Sequence, residues 1–387
     1  MNRKILLLAS AALAIPLAAV PLIGQTTAAA PPPETLAPPP PPRESAWSAG
    51  PESVGSGPAA ARVNALADQL FGERDLVGET RALIVVQNGQ PLLERYAEGF
   101  GADTKLISWS MAKSITAILI GILVADGRLV LDDPVPLPAW RRPGDPRGAI
   151  TLRHLLNMSS GLDHVENGEP VWESDTVRML FGPGAPDMAG AAEAQPLVAQ
   201  PGEQFNYSSA TSVILSDILT RALTPSTNPD MRRDAMLNFI DGRLARPLGI
   251  SSLTPEFDAK GTMIGGSIMH ATARDYARLG EFMRRGGTTL GGQRLVPQSW
   301  LAFMLTPSPN DAGYGGHIWL NRPRPAGAGP DLWPEHGPAD LFAFLGHQGQ
   351  FILVSPSQRL TVVRLGISTR EQIPEVRSRL RQIMAAL

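Results

Sequence analysis

Strand-like sequence lies near the two ends of this chain and is almost missing between them. The segment "RALIVVQNGQPLLERYAEGF" (81–100) predicts a β-hairpin: two apolar runs meet around Asn88-Gly89, a turn pair that tolerates positive φ. The next strand-like runs come far downstream, in "GGHIWLN", "LFAFLGHQGQFILVSP" and "LTVVRLGIS", followed by a closing helix, "EQIPEVRSRLRQIMAAL". In the middle the signals are helical or loop-like: "TLRHLLNMSSGL", "SSATSVILSDILTRAL" and "RRDAMLNFIDGRLARPLGI". A hairpin cannot bury a core alone. The two ends are therefore expected to share one α/β layer, about 61–131 with 266–387, into which a mostly helical part, about 132–265, is inserted. The Gly-, Pro- and Ala-rich stretch 163–200 is expected to form long loops, and these, with 321–340, to shape a pocket.

The N-terminus predicts a different role. "MNRKILLLASAALAIPLAAVPLIGQTTAAA" has Arg3 and Lys4, an apolar run from Ile5 to Ile23 and a small-residue exit, the layout of a secretory signal over 1–30. Pro16 and Pro21 argue against a membrane helix, and an uncleaved N-terminal anchor is the alternative. Residues 31–60, rich in proline, cannot bury a core and are expected to be a linker. The expected product is periplasmic or secreted, with no membrane span in the mature chain. A net charge of −2 argues against a nucleic-acid partner, and with no cysteine there is no thiolate nucleophile, disulfide framework or cysteine metal site. No His-Glu-x-x-His pattern occurs, so neither metal nor organic cofactor is expected.

One lysine stands out. The chain has 34 Lys+Arg, of which only Lys4, Lys105, Lys113 and Lys260 are lysine. Where charge alone was wanted this chain has used arginine, which stays protonated; lysine can lose its proton and act as a base. Lys113 lies in "ISWSMAKSITAILIGILVADGRLVL", three residues after Ser110 at the head of an apolar helix. Ile115, Ile118, Leu119, Ile122 and Leu123 mark its buried face, and Gly127 its stop. Positions three apart share a helical face, so the amine can reach the hydroxyl. A serine hydroxyl is a poor nucleophile without an adjacent base, and a lysine becomes that base if burial lowers its pKa. Trp109, Met111 and Ala112 could supply the dry setting. The competing account is a helix-capping serine beside a lysine that reaches solvent.

This stretch resembles the active-site helix of the serine β-lactamase and penicillin-binding superfamily. "FNYSSATSVILSDIL" is similar to its second element, and "GHQGQFILVSP" to its third. "ITLRHLLNMSSGL", "GGSIMHATARDYARLGEFM" and "GYGGHIWLN" look like the class C-related branch, and within it esterases and 6-aminohexanoate-dimer hydrolases. The resemblance implies a β-lactamase/transpeptidase-like α/β fold, an antiparallel sheet flanked by helices with a mostly helical inserted domain. It implies an ester- or amide-cleaving serine hydrolase acting on small molecules through an acyl-enzyme. Ser110 would be the nucleophile, with Lys113 and Tyr207 as general base and acid; which takes the first proton stays open. His347, Gly349 and Gln350 would bind substrate, the backbone N–H of Gln350 forming an oxyanion hole with that of Ser110.

Two departures bear on substrate. The superfamily has asparagine two residues after the tyrosine; here Ser209 stands there, either touching substrate or capping the next helix. Where Lys-Thr-Gly is usual the chain has His347-Gln348-Gly349, which lacks the cation that binds a β-lactam carboxylate. Efficient β-lactamase activity is thus not expected. A non-catalytic module recognising peptidoglycan peptides, or a D-amino-acid peptidase, is the alternative. No Gly-x-Ser-x-Gly occurs. Asp132-Asp133 is expected to be a turn, and Glu166, Glu169 and Glu173 a solvated segment.

Overall fold

The structure, a computed structural model, describes residues 57–325, 328 and 332–387. The expected signal segment and most of the linker lie outside the described residues. The linker's last residues do not belong to it: a helix already starts at Pro58 and runs to Gly72, proline being tolerated in a first turn where its missing N–H has no helical partner.

Strands β1 (Glu79–Gln87) and β2 (Gln90–Tyr96) form the expected hairpin, with Asn88 and Gly89 at φ 54° and 77°. A short β3 (Lys105–Ile107) leads into helix Met111–Ala125. The middle of the chain is helical, with Asp175–Phe181, Met188–Glu193, Ser209–Leu223 and Pro229–Ile240 as its main segments and only a two-residue strand, β4 (Thr254–Pro255). Stretch 163–200 thus contains two short helices; Ser174 and Asp187 cap them, a local signal that its Gly and Pro content obscured. Then come β5 (Met269–Thr272), helix Ala273–Arg284, β6 (Trp319–Leu320), β7 (Phe342–Gly346), β8 (Gln350–Ser355), β9 (Leu360–Ile367) and helix Ile373–Ala385.

Six strands pair antiparallel in the order β2-β1-β9-β8-β7-β6, so the C-terminal strands complete the sheet begun by the hairpin. The period-two alternation of β1 serves two cores. Leu83 and Val85 face helices Pro58–Gly72 and Ile373–Ala385 through Val63, Leu70, Val376 and Leu380. Ile84 and Val86 face the larger core, which includes helices Met111–Ala125 and Ala273–Arg284. Helix Ala273–Arg284 approaches the sheet closely at Gly280, where a Cβ would lie 2.6 Å from Thr361 Cγ2.

Helix Met111–Ala125 is buried on every side from Met111 to Leu123 rather than along one face. It is the central helix, packed against Ser209–Leu223 as well as the sheet. Any polar side chain on it must therefore find its partners inside the protein, and Lys113 is 2% exposed.

Candidate active site

Strand β3 pairs with β5 and delivers the chain to Ser108, whose N–H donates to Met269 O at 2.8 Å. Trp109 then adopts φ 43°, an unusual conformation for a residue with a side chain and a mark of local strain. Ser110 follows at the N-cap position, yet its hydroxyl caps no N–H of the helix. The hydroxyl is turned toward Lys113, whose Nζ lies 3.1 Å away. The capping account of Ser110 therefore fails.

Lys113 does not reach solvent either. Besides Ser110 Oγ, its Nζ donates to Ser209 Oγ at 2.8 Å and to Gly266 O at 2.7 Å, and it sits over the Tyr207 ring, 4.9 Å from the centroid. Three acceptors meet the three N–H groups of an ammonium. Burial nevertheless disfavours the charge and lowers its pKa from 10.5 to about 8, against the opposing pull of Glu166. The close approach of the 265–266 backbone needs glycine: a Cβ on Gly266 would lie 2.6 Å from Ser209 O.

Tyr207 precedes the N-cap of helix Ser209–Leu223, and it is its ring face that meets the amine. Trp319 and Tyr314 hold that ring, with centroids 5.3 and 5.9 Å away. Ser209 is not the helix cap. Ser208 is, accepting from Thr211 N–H, which leaves the Ser209 hydroxyl for Lys113 and for Glu166 Oε1 at 2.7 Å.

Glu166 corrects the expectation of a solvated acidic segment. Its carboxylate accepts from Ser209 N–H and from Thr176 Oγ1, both at 2.6 Å, as well as from Ser209 Oγ. Glu173 does behave as expected, pairing with Arg178 in an exposed ion pair. Asp132 pairs with exposed Arg153, whose hydrogen bond lowers the aspartate pKa. What separates Glu166 from its neighbours is the backbone path around it. Asp175 holds Val165 N–H and Ser174 holds Glu166 O, folding this segment onto the start of the 209–223 helix.

His347, Gln348 and Gly349 form the tight turn between β7 and β8 rather than part of a strand, with Gln348 and Gly349 at φ 60° and 84°. Gly349 is needed for that turn and for Arg364, whose Nη1 would lie 2.6 Å from a Cβ there. The glycine that permits a close approach is Gly346, where a Cβ would lie 2.3 Å from Ser108 O. His347 is exposed, edge-on to Trp109 at 5.3 Å, and partial desolvation lowers its pKa. The Gln350 side chain is buried and clasps His347 O at 3.0 Å and Gly366 O at 2.6 Å, fixing the turn. Arg364, buried without a carboxylate among its hydrogen-bond partners, donates to Gly349 O at 2.8 Å, and also to Thr80 and Ser368.

These parts surround one cleft of about 900 Å³. Ser110 and Ser209 reach its wall; His347 to Gly349 stand on one side, and Glu166 with Val171, Val177, Leu180 and Phe181 on another. Both loop regions expected to shape a pocket contribute, 321–340 through Ala328. Tyr207 is not among the residues lining the cleft, and its ring lies against the Lys113 amine. The arrangement holds two hydroxyls, of Ser110 and Ser209, beside a buried amine of lowered pKa at a cleft of mixed polar and apolar lining.

The β-lactamase family model matches residues 63–386, and the chain belongs to that family. Among particular relatives, it is 26% identical over 260 residues to the 6-aminohexanoate-dimer hydrolase of Paenarthrobacter ureafaciens, covering 65% of this chain and 64% of that protein. It is 31% identical over 221 residues to esterase EstB of Burkholderia gladioli, covering 51% and 52%. Each of these two is thus matched over less than two thirds of its own length. A crystal structure of a family VIII carboxylesterase superposes with a TM-score of 0.61 over 87% of this chain and 98% of that one, at 16% identity, which speaks to fold alone.

Proposed function

We propose that this chain is a serine hydrolase that cleaves esters or amides of small molecules through an acyl-enzyme on Ser110. The observation that carries the proposal is the Lys113 amine, 2% exposed, 3.1 Å from Ser110 Oγ and with its pKa lowered to about 8. At neutral pH roughly a tenth of such lysines are uncharged, against a few in ten thousand for an ordinary one. The neutral amine takes the Ser110 proton as Oγ bonds to the substrate carbonyl carbon and the carbonyl π electrons move onto oxygen. Collapse of that oxyanion re-forms the carbonyl and expels the alcohol or amine, which recovers the proton from the lysine ammonium. Water then attacks the acyl-enzyme by the same sequence and frees Ser110.

Backbone N–H groups of Ser110 and Gln350 are the proposed oxyanion donors. The Tyr207 ring supports the ammonium formed during attack, from which the leaving group takes its proton. Names of the relatives favour esters and linear amides as substrates. The His347 turn lacks the lysine expected of a β-lactamase. Export belongs to the same proposal and rests on residues 1–30. Turnover of p-nitrophenyl esters by the wild type, lost in Ser110→Ala, tests the activity; N-terminal sequencing of the periplasmic fraction tests the export.

A further inference from the structure

Glu166 has no part in the chemistry just described, yet its hydrogen bonds decide how that chemistry is oriented. A carboxylate only accepts, so the single Ser209 hydroxyl proton, 2.7 Å from Glu166 Oε1, points at Glu166. With that proton committed, Ser209 Oγ can only accept from Lys113, 2.8 Å away. Gly266 O, at 2.7 Å, is likewise an acceptor. A neutral amine has two N–H groups and one lone pair. Both N–H groups are claimed, and the lone pair is left facing Ser110 Oγ, the third partner.

We propose that Glu166 is a positioning residue for the base: by fixing Ser209 as an acceptor, it aims the lone pair of neutral Lys113 at the Ser110 hydroxyl. This rests on the acyl-enzyme reading above. Without the carboxylate, Ser209 can turn its proton onto the lysine nitrogen, occupy the lone pair and leave an N–H against Ser110. Glu166 itself gains no proton at any step.

The charges around this chain of contacts are few. Lys113 faces Glu166 through Ser209, Tyr207 from the segment before the 209–223 helix, and His317 from the segment before β6. Glu166 also acts on His164 and Tyr314, and Asp175 stands close by on Val165 N–H. Burial holds His317 neutral, its pKa lowered to about 3, and pushes Tyr314 well above its usual range. Glu166 favours the protonated lysine. Removing its charge therefore moves the lysine titration to lower pH while lowering the plateau rate. A carboxylate that merely braces the fold would move the titration too, because its charge acts on the lysine through space, but its loss would cost as much in the Ser209→Ala background as in the wild type.

The test measures kcat and KM for p-nitrophenyl acetate across pH in the full chain, comparing wild type, Glu166→Gln, Ser209→Ala and the double variant. The expected result for Glu166→Gln is about a 10- to 100-fold fall in kcat, an unchanged KM and an acid limb displaced to lower pH. In the Ser209→Ala background the same change should cost little more, because the link is already cut. Wild-type kcat in Glu166→Gln, or an equally large further fall when the change is made in the Ser209→Ala background, overturns the proposal. Ser209→Ala keeps the backbone N–H on Glu166, so if the amide variant unfolds, wild-type kcat in Ser209→Ala overturns it instead. Absence of turnover in the wild type, with no fluorophosphonate adduct on Ser110, would overturn the hydrolase reading itself and this one with it.

Discussion

Lys113 Nζ is closer to Ser209 Oγ, at 2.8 Å, than to Ser110 Oγ, at 3.1 Å. The amine is anchored from behind, by a hydroxyl and a carbonyl, and its contact with the proposed nucleophile is the loosest of the three. Such an anchor lets the lysine gain or lose a proton without changing place. The fall of its pKa from 10.5 to about 8 corresponds to roughly 3 kcal/mol of bias toward the neutral amine, on the order of the desolvation effects known for buried lysines.

With Lys113 as the proposed base, that pKa sets the expected pH dependence. The base works when neutral, so kcat/KM for a p-nitrophenyl ester should rise with pH along an acid limb centred near 8. Initial rates across the limb check this. A limb at the ordinary histidine position would point to another base.

Lys113→Arg keeps the charge and removes the proposed base. Ester turnover should fall by at least about a thousandfold, nearly as far as in Ser110→Ala. Steady-state kinetics read the loss, with circular dichroism to confirm the fold, since guanidinium must fit a site that is 2% exposed.

His347 stands in the turn on one side of the cleft, its pKa lowered by partial desolvation. A substrate carboxylate there meets no fixed cation from this side chain at neutral pH. Benzylpenicillin should therefore be a poor substrate and a weak inhibitor. His347→Lys should lower its inhibition constant about tenfold, the return for one charge-assisted contact. Competitive inhibition of ester turnover measures it.

Arg364 holds the same turn from inside the protein, donating to Gly349 O, Thr80 Oγ1 and Ser368 Oγ, and burial depresses its pKa to about 9. Arg364→Leu strands these acceptors and should cost about 3 kcal/mol of unfolding free energy. Urea denaturation gives the stability. Ester kcat should fall with it, because His347 and Gly349 lose their support.

The parts of this fold written locally were legible in the sequence. The Asn88-Gly89 hairpin and the apolar run after Lys113 carry their periodicity within one element. So does the Ser110–Lys113 contact, which a single helical turn dictates. Glu166 was not legible, because its partner Ser209 is 43 residues away and nothing near it in sequence distinguishes it from Glu169 or Glu173. Ser209 itself left two roles open, and the neighbouring Ser208 took the cap. The His347 turn was expected as strand because "FLGHQGQFILV" is apolar on both sides, and only the positive φ of Gln348 and Gly349 reveals the reversal.

The central claim is that Lys113 prepares Ser110 for acylation. Intact-mass spectrometry after exposure to a fluorophosphonate tests it most directly. The account predicts one adduct on the wild type, mapped by peptide digestion to Ser110, slow to form in Lys113→Arg and missing in Ser110→Ala. An unlabelled wild type, or an adduct that persists in Ser110→Ala, would contradict it.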